Sequence, residues 1–264
     1  MKWLIAAIVA LFATPAVAQD DPRFCPSRPS LGESGCTTLP GQFQVELSAL
    51  DWQRDDNAAM REDTVLAGDL LVRAGIGPTT ELQFAWTPFG HVRTRDKLTG
   101  SVDSVRRVGD VRIGVRQNLR NPDGKGLSYA VEPFVTVPVG RMPVGAGDWG
   151  AGVVVPVGYD ITDRLNFNFT GEVDAMVDED GDGRHGAYSG IVGLGYALTE
   201  KLTAVAELSV ARDEDPMDPH TESLAAGSLA WQPGKRYQID VLATAGLNHD
   251  TPDVRLVTGG AILF

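Results

Sequence analysis

The chain has 264 residues, 43% of them hydrophobic, and a formal net charge of −12. That acidity excludes a nucleic-acid binder, which works through basic patches. Past residue 18 no apolar run reaches the roughly eighteen residues of a membrane helix, so a membrane form of this chain has to be a closed barrel.

In chain order, the first element is an export signal. Lys2 supplies a positive start, residues 3–12 an apolar stretch too short to span a bilayer, and Ala16, Val17 and Ala18 a small-residue cleavage site. Residues 1–18 are therefore expected to be removed, with Gln19 starting the mature chain; the competing reading is an amino-terminal anchor. Residues 19–41 are rich in Pro and Ser and lack periodicity. They read as a periplasmic lead-in placed to tuck into the barrel mouth. Cys25 and Cys36 meet an oxidising periplasm, so a disulfide is favoured over two free thiols. It would contribute ~2–3 kcal/mol by closing a short loop.

Residues 42–264 alternate with period two. Twelve strands are predicted, at 43–52, 64–77, 80–89, 108–120, 127–139, 149–160, 165–177, 187–199, 202–211, 221–232, 237–248 and 254–264. Most approach the ~9–11 residues of a tilted membrane strand. The seventh is clearest: Leu165, Phe167, Phe169, Val173 and Val177 share one face, and Asn166, Asn168, Thr170, Glu172 and Asp174 the other. The last ends on Phe264, an aromatic carboxy terminus of the kind read as a barrel-assembly signal.

Alternation alone does not say which face points outward, and three further features favour a membrane barrel over a soluble one. Short connections near 77–79, 121–126, 162–164, 200–201 and 233–236 alternate with longer ones at 53–63, 90–107, 140–148, 178–186 and 212–220; the short link at 249–253 is the exception. Aromatics collect at strand ends on the apolar parity, with Phe43, Tyr129, Tyr159, Tyr196, Tyr237 and Phe264 at one rim and Trp86, Trp149 and Tyr188 at the other. The polar parity carries charge in mid-strand. Glu46, Asp69, Arg73, Glu81, Asp110, Arg112, Arg116, Glu132, Glu172, Asp174, Glu207, Asp240 and Arg255 are the expected lumen-lining residues. The fold expected is an all-β, transmembrane, antiparallel barrel of about twelve strands in a Gram-negative outer membrane, both ends periplasmic.

The sharpest local motif is the acidic run from Asp178 to Gly183. Asp178, Asp180 and Asp182 place oxygens like the first half of a calcium loop, but Ser189 stands where a bidentate Glu belongs. An acidic external hairpin is the preferred reading, calcium the lesser one, and no other cofactor is expected. A second acidic run, 213–220, falls on the same rim and reads as a solvated tip or as a site for divalent ions bridging lipopolysaccharide phosphates. The four His lie in or beside long loops and there is no Gly-x-Ser-x-Gly, so no enzyme is expected.

Arg28-Pro29-Ser30-Leu31-Gly32-Glu33-Ser34, then Thr38-Leu39-Pro40-Gly41-Gln42-Phe43-Gln44-Val45-Glu46, is similar to the opening of the MetA-pathway of phenol degradation family. Gly109-Asp110-Val111-Arg112-Ile113-Gly114 and Pro138-Val139-Gly140 resemble its internal phrases, while the two cysteines depart from it. The resemblance implies an outer-membrane barrel linked to uptake of aromatic or other hydrophobic compounds. The expected function is passive passage of small hydrophobic or aromatic molecules, with 90–107 folded inward as a constriction. The expected partners are outer-membrane lipids, lipopolysaccharide, the barrel-assembly machinery and those solutes, with no nucleic acid. The alternatives are a non-conducting structural or adhesive barrel and, less favoured, an outer-membrane hydrolase.

Overall fold

Strict alternation over long stretches leaves one face apolar and one polar, and a chain built this way closes its ladder to leave no edge in lipid. The computed structural model describes residues 22–264, so the signal-peptide reading lies outside the described residues. The elements are β1 (Phe43–Asp56), β2 (Met60–Ala67), β3 (Asp69–Gly77), β4 (Thr80–Trp86), β5 (Phe89–Asp96), β6 (Val102–Arg107), β7 (Val111–Arg120) and β8 (Leu127–Val137). They continue with β9 (Gly150–Asp160), β10 (Leu165–Val177), β11 (Arg184–Ala197), β12 (Leu202–Asp213), β13 (His220–Gly234), β14 (Tyr237–Gly246) and β15 (Val254–Leu263).

All pairings between strands are antiparallel, and β15 returns to β1 with Gln44 opposite Leu263 and Arg54 opposite Val254. Phe264 donates its N–H to the Phe43 carbonyl at 2.8 Å, which ties the two ends of the barrel together. The fifteen segments make twelve staves, because β2 with β3, β4 with β5, and β6 with β7 are single staves bent in the middle.

The bends have local causes. Gly68 sits at φ 74°, a conformation that favours glycine, and Pro88 has no N–H to give a ladder. A bulge between Ser48 and Leu50 bends β1 at the same level. Gly68 donates to Ser48 O at 2.9 Å, Gly109 to Thr87 O at 2.8 Å, and the Thr87 hydroxyl to Asp69 at 2.8 Å, so the four bends lock side by side.

Above the bends, the upper half of β1 continues with β2, β5 and β6 as a four-stranded flap. Among the described residues β6 pairs with β5 alone, the neighbouring stave β8 having ended at Val137. This corrects two expectations. Most of 53–63 and 90–107 is strand, with turns only at 57–59 and 97–101, and 90–107 runs up the wall instead of folding across the lumen. Charge on both faces made these stretches look like loops; a ladder that has left the lipid needs no apolar face.

The burial pattern is that of a soluble protein turned inside out. Leu47, Phe84, Ile113, Val192, Leu229 and Leu256 are exposed on the outside, whereas Gln44, Glu46, Arg73, Glu81, Arg116 and Asp240 are buried inside. Such an outer face is stable only against lipid. Tyr159, Tyr196, Tyr237 and Phe264 ring one rim and Trp149 and Tyr188 the other.

Candidate functional site: a plugged lumen

The interior is occupied. Residues 22–41, the described part of the lead-in expected to tuck into the barrel mouth, cross the lumen from wall to wall. Cys25 and Cys36 are joined in a disulfide, so residues 26–35 form a closed loop inside the barrel. Backbone groups of an irregular segment need partners wherever water is scarce, and the charged parity of the wall supplies them.

One end of the loop is clamped by Arg73. Its guanidinium donates to the carbonyls of Cys25 and Cys36, each at 2.8 Å, and pairs with Glu81 at 2.8 Å and Glu46 at 3.3 Å. Glu46 accepts the N–H groups of Ser27 and Arg28, and Glu81 that of Thr38 at 2.7 Å. Arg116 holds the next stretch, pairing with Glu132 at 2.7 Å, contacting Glu33 and donating to Ser34 O at 2.8 Å. Arg112 lies between Glu132 and Glu172, at 3.5 and 3.6 Å, with its guanidinium 3.6 Å from the centre of the Phe134 ring.

The far end is latched more lightly. Arg28 pairs with Asp240 at 2.8 Å. Glu207 accepts from the Ser30 hydroxyl and from the N–H groups of Leu31 and Gly32 at 3.0 and 3.2 Å. Asp174 sits beside Glu172 in a recess that His220 and Glu222 also line. The remaining polar-parity residues serve the wall: Asp69 accepts from Thr87, Arg255 reaches Asp51 at 2.9 Å, and Asp110 takes the N–H groups of Val139, Gly140 and Gly147.

Residues 27–33 separate two cavities. The outer one, about 280 Å³, is bounded by Asp69, Leu71, Leu242, Arg255 and Val257; the inner one, about 300 Å³, by Asn166, Asn168, Thr203, Val205 and Gln232. Beside the partition the wall is apolar, with Ala226, Leu242 and Val257 packed against Leu31 and Leu224. Sequence reasoning missed Arg28 and Glu33, which complete the wall's charge pairs, and Ser30, whose hydroxyl donates to Glu207; two cysteines eleven residues apart around an Arg and a Glu were the available signal.

At the outer rim, three residues beyond the girdle residue Tyr188, His185 is held by Asp178 at 2.9 Å and Asp213 at 2.9 Å. Ligand atoms of Asp178, His185 and Asp215 lie within 4.8 Å of one another. Asp180 and Asp182, which with Asp178 carry the lesser reading of a calcium loop, are exposed in the turn and outside this group. Burial pushes the His185 pKa down, but the Asp178 hydrogen bond and the Asp213 and Asp215 charges outweigh it and the net direction is up. The N–H of Met217, foremost, holds the Asp215 carboxyl below its ordinary value.

The family described as "Putative MetA-pathway of phenol degradation" matches residues 26–263. The chain belongs to it. No curated protein sequence matches the chain. Among solved structures, the translocator domain of the autotransporter NalP from Neisseria meningitidis is similar in fold, with a TM-score of 0.51 and 14% identity, covering 84% of this chain and 88% of that one. The KdgM porin in complex with disordered oligogalacturonate matches at a TM-score of 0.48 and 10% identity, covering 81% and 98%. The CymD monoaromatic hydrocarbon channel matches at 0.44 and 8%, covering 86% and 88%.

Proposed function

We propose that this member of the family is an outer-membrane channel that passes small hydrophobic or aromatic molecules down their gradient, with no cofactor and no catalysis. One observation carries the reading: a single segment, 27–33, separates an outer from an inner cavity, and it lies against the apolar patch of Leu224, Ala226, Leu242 and Val257. A path beside that segment needs only a local shift, whereas a path on the opposite side would break the Arg73 and Arg116 ion pairs. An apolar solute loses little on leaving water for such a wall, while a solvated ion would lose its hydration.

A second reading has its own support. Arg73 and Arg116 are fully buried and ion-paired, which suits a permanently closed scaffold. Uptake of a labelled monoaromatic by cells with and without the protein separates the two. A channel speeds uptake at limiting solute, and a scaffold leaves it unchanged.

A further inference from the structure

The flap carries a feature that passage through the lumen does not use. Direct opposition in antiparallel pairs puts Arg54, Asp63, Arg93 and Ser104 in one row on one face. The next row out is Asp56, Arg61, Arg95 and Val102, and the next row in is Trp52, Val65, His91 and Arg106. This is the outer face of the barrel wall: Trp52 is opposite the exposed Leu256 of β15, and on β5 the residues of the other face, Gly90 and Val92, are buried.

Arg93, Arg95 and Arg106 are exposed, and among the described residues none of their side chains makes an ion pair or hydrogen bond. Arg54 and Arg61 share the single carboxylate of Asp63, at 2.9 and 3.0 Å. Arg61 stands directly opposite Arg95, a like-charged cross-strand pair that is destabilising without a counter-charge. Neighbours on such a face lie ~5–8 Å apart, within reach of one phosphate-sized anion. A chain of net charge −12 has thus gathered unpaired cations on one small outer surface.

The height of this surface names its partner. On β1 the outward residues run from Phe43 to Trp52, which matches the ~9–11 residues of a bilayer crossing, and Arg54 is the next outward residue. On β5 the outward series passes from the exposed Phe89 through His91 to Arg93 and Arg95. The cations therefore stand just above the outer end of the apolar belt, at the level of lipid head groups. Guanidinium forks bind phosphate bidentately.

We propose that the outer face of the flap, centred on Arg93, Arg95 and Arg106, binds the phosphate groups of a phosphorylated lipid in the outer leaflet. The lipid's acyl chains lie along the apolar belt below, beside Phe89 and Trp52. The bound phosphate supplies the counter-charge that Arg95 lacks and that Arg61 has only by sharing Asp63 with Arg54, and it holds the free-edged flap upright against the membrane.

The test uses the full, folded protein in detergent, with bisphosphorylated lipid A as probe and native mass spectrometry as readout. Heat-modifiable migration verifies that each variant is folded. Wild type is expected to retain lipid A roughly tenfold better than the triple variant Arg93→Ser, Arg95→Ser, Arg106→Ser, the size expected for losing several charge-assisted contacts. The triple Lys variant should keep most of the retention, and lipid A stripped of phosphate should bind wild type as weakly as the Ser variant binds the intact lipid. Equal retention by wild type and the Ser variant overturns the proposal. So does displacement of lipid A by inorganic phosphate at equal concentration, which would assign the site to the free anion. A Ser-variant defect seen only as loss of a dimer mass would make the flap a contact between copies, and that also overturns it.

Discussion

Arg28 and Asp240 lie 212 residues apart and meet at 2.8 Å, with the Asp240 side chain fully buried. The pair joins the lumen segment to β14, on the side where the plug is only one segment thick. Removing one partner of a buried pair strands the other and costs ~3–5 kcal/mol. Arg28→Ala should therefore release residues 27–33 while leaving the Arg73 clamp intact. The expected result is conductance bursts in planar bilayers and faster hydrogen exchange at 27–33, with exchange at 36–38 unchanged. Exchange at 27–33 indistinguishable from wild type would remove Arg28 as a latch.

The face assignment is testable at adjacent residues. Phe169 points to lipid and Asn168 to the lumen, where its amide donates to Asn166 at 3.0 Å. Phe169→Arg should cost ~2–4 kcal/mol of membrane stability, and Asn168→Arg far less, as read from urea unfolding in vesicles. Equal losses at the two sites would contradict the assignment.

Much of this architecture was legible because a barrel stave is a local pattern. The alternation from Leu165 to Val177 and the polar parity through Glu46, Arg116 and Asp240 stand in the sequence with no knowledge of partners. The flap was not legible, since Arg93 and Arg95 above the lipid break the apolar parity that marks a strand. The predicted strand at 80–89 runs through the bend at Thr87 and Pro88 and stops just past it, though the stave continues as β5 to Asp96. The plug escaped for another reason. Its order comes from distant carboxylates that accept its N–H groups, as Glu207 does for Leu31 at 3.0 Å from 176 residues away, and irregular backbone leaves no periodicity to read.

The outer loops should have a pH window. The His185 pKa is raised, so its contribution is full below the unfolded value of ~6.5 and is lost as pH climbs through the higher folded value. The Asp215 pKa is depressed, so its contribution is present above the unfolded value of ~3.9 and is lost as pH falls through the lower folded value. Protease resistance of the 178–183 and 214–219 loops should peak between these limits. His185→Gln should abolish the alkaline limb and spare the acid one. An alkaline limb that survives this change would assign it to another group.

Selectivity should emerge when the plug is removed. The polar parity carries nine carboxylates against four arginines, counting Glu46, Asp69, Glu81, Asp110, Glu132, Glu172, Asp174, Glu207 and Asp240 against Arg73, Arg112, Arg116 and Arg255. Rings of carboxylate favour cations. A barrel lacking 26–35 should give a cation-selective reversal potential under a salt gradient at neutral pH. The preference should weaken toward 1 M salt, where screening shortens to ~3 Å. Anion selectivity would contradict the lumen assignment.

If solute passes where residues 27–33 move, immobilising that segment must stop it. Ser30→Cys with Glu207→Cys, bridged by a short bis-maleimide, pins the segment to β12 where the two side chains already touch. Uptake of a labelled monoaromatic is then compared in the same cells before and after bridging. Bridging should lower uptake to the rate of cells lacking the protein. Uptake unchanged by bridging would contradict it.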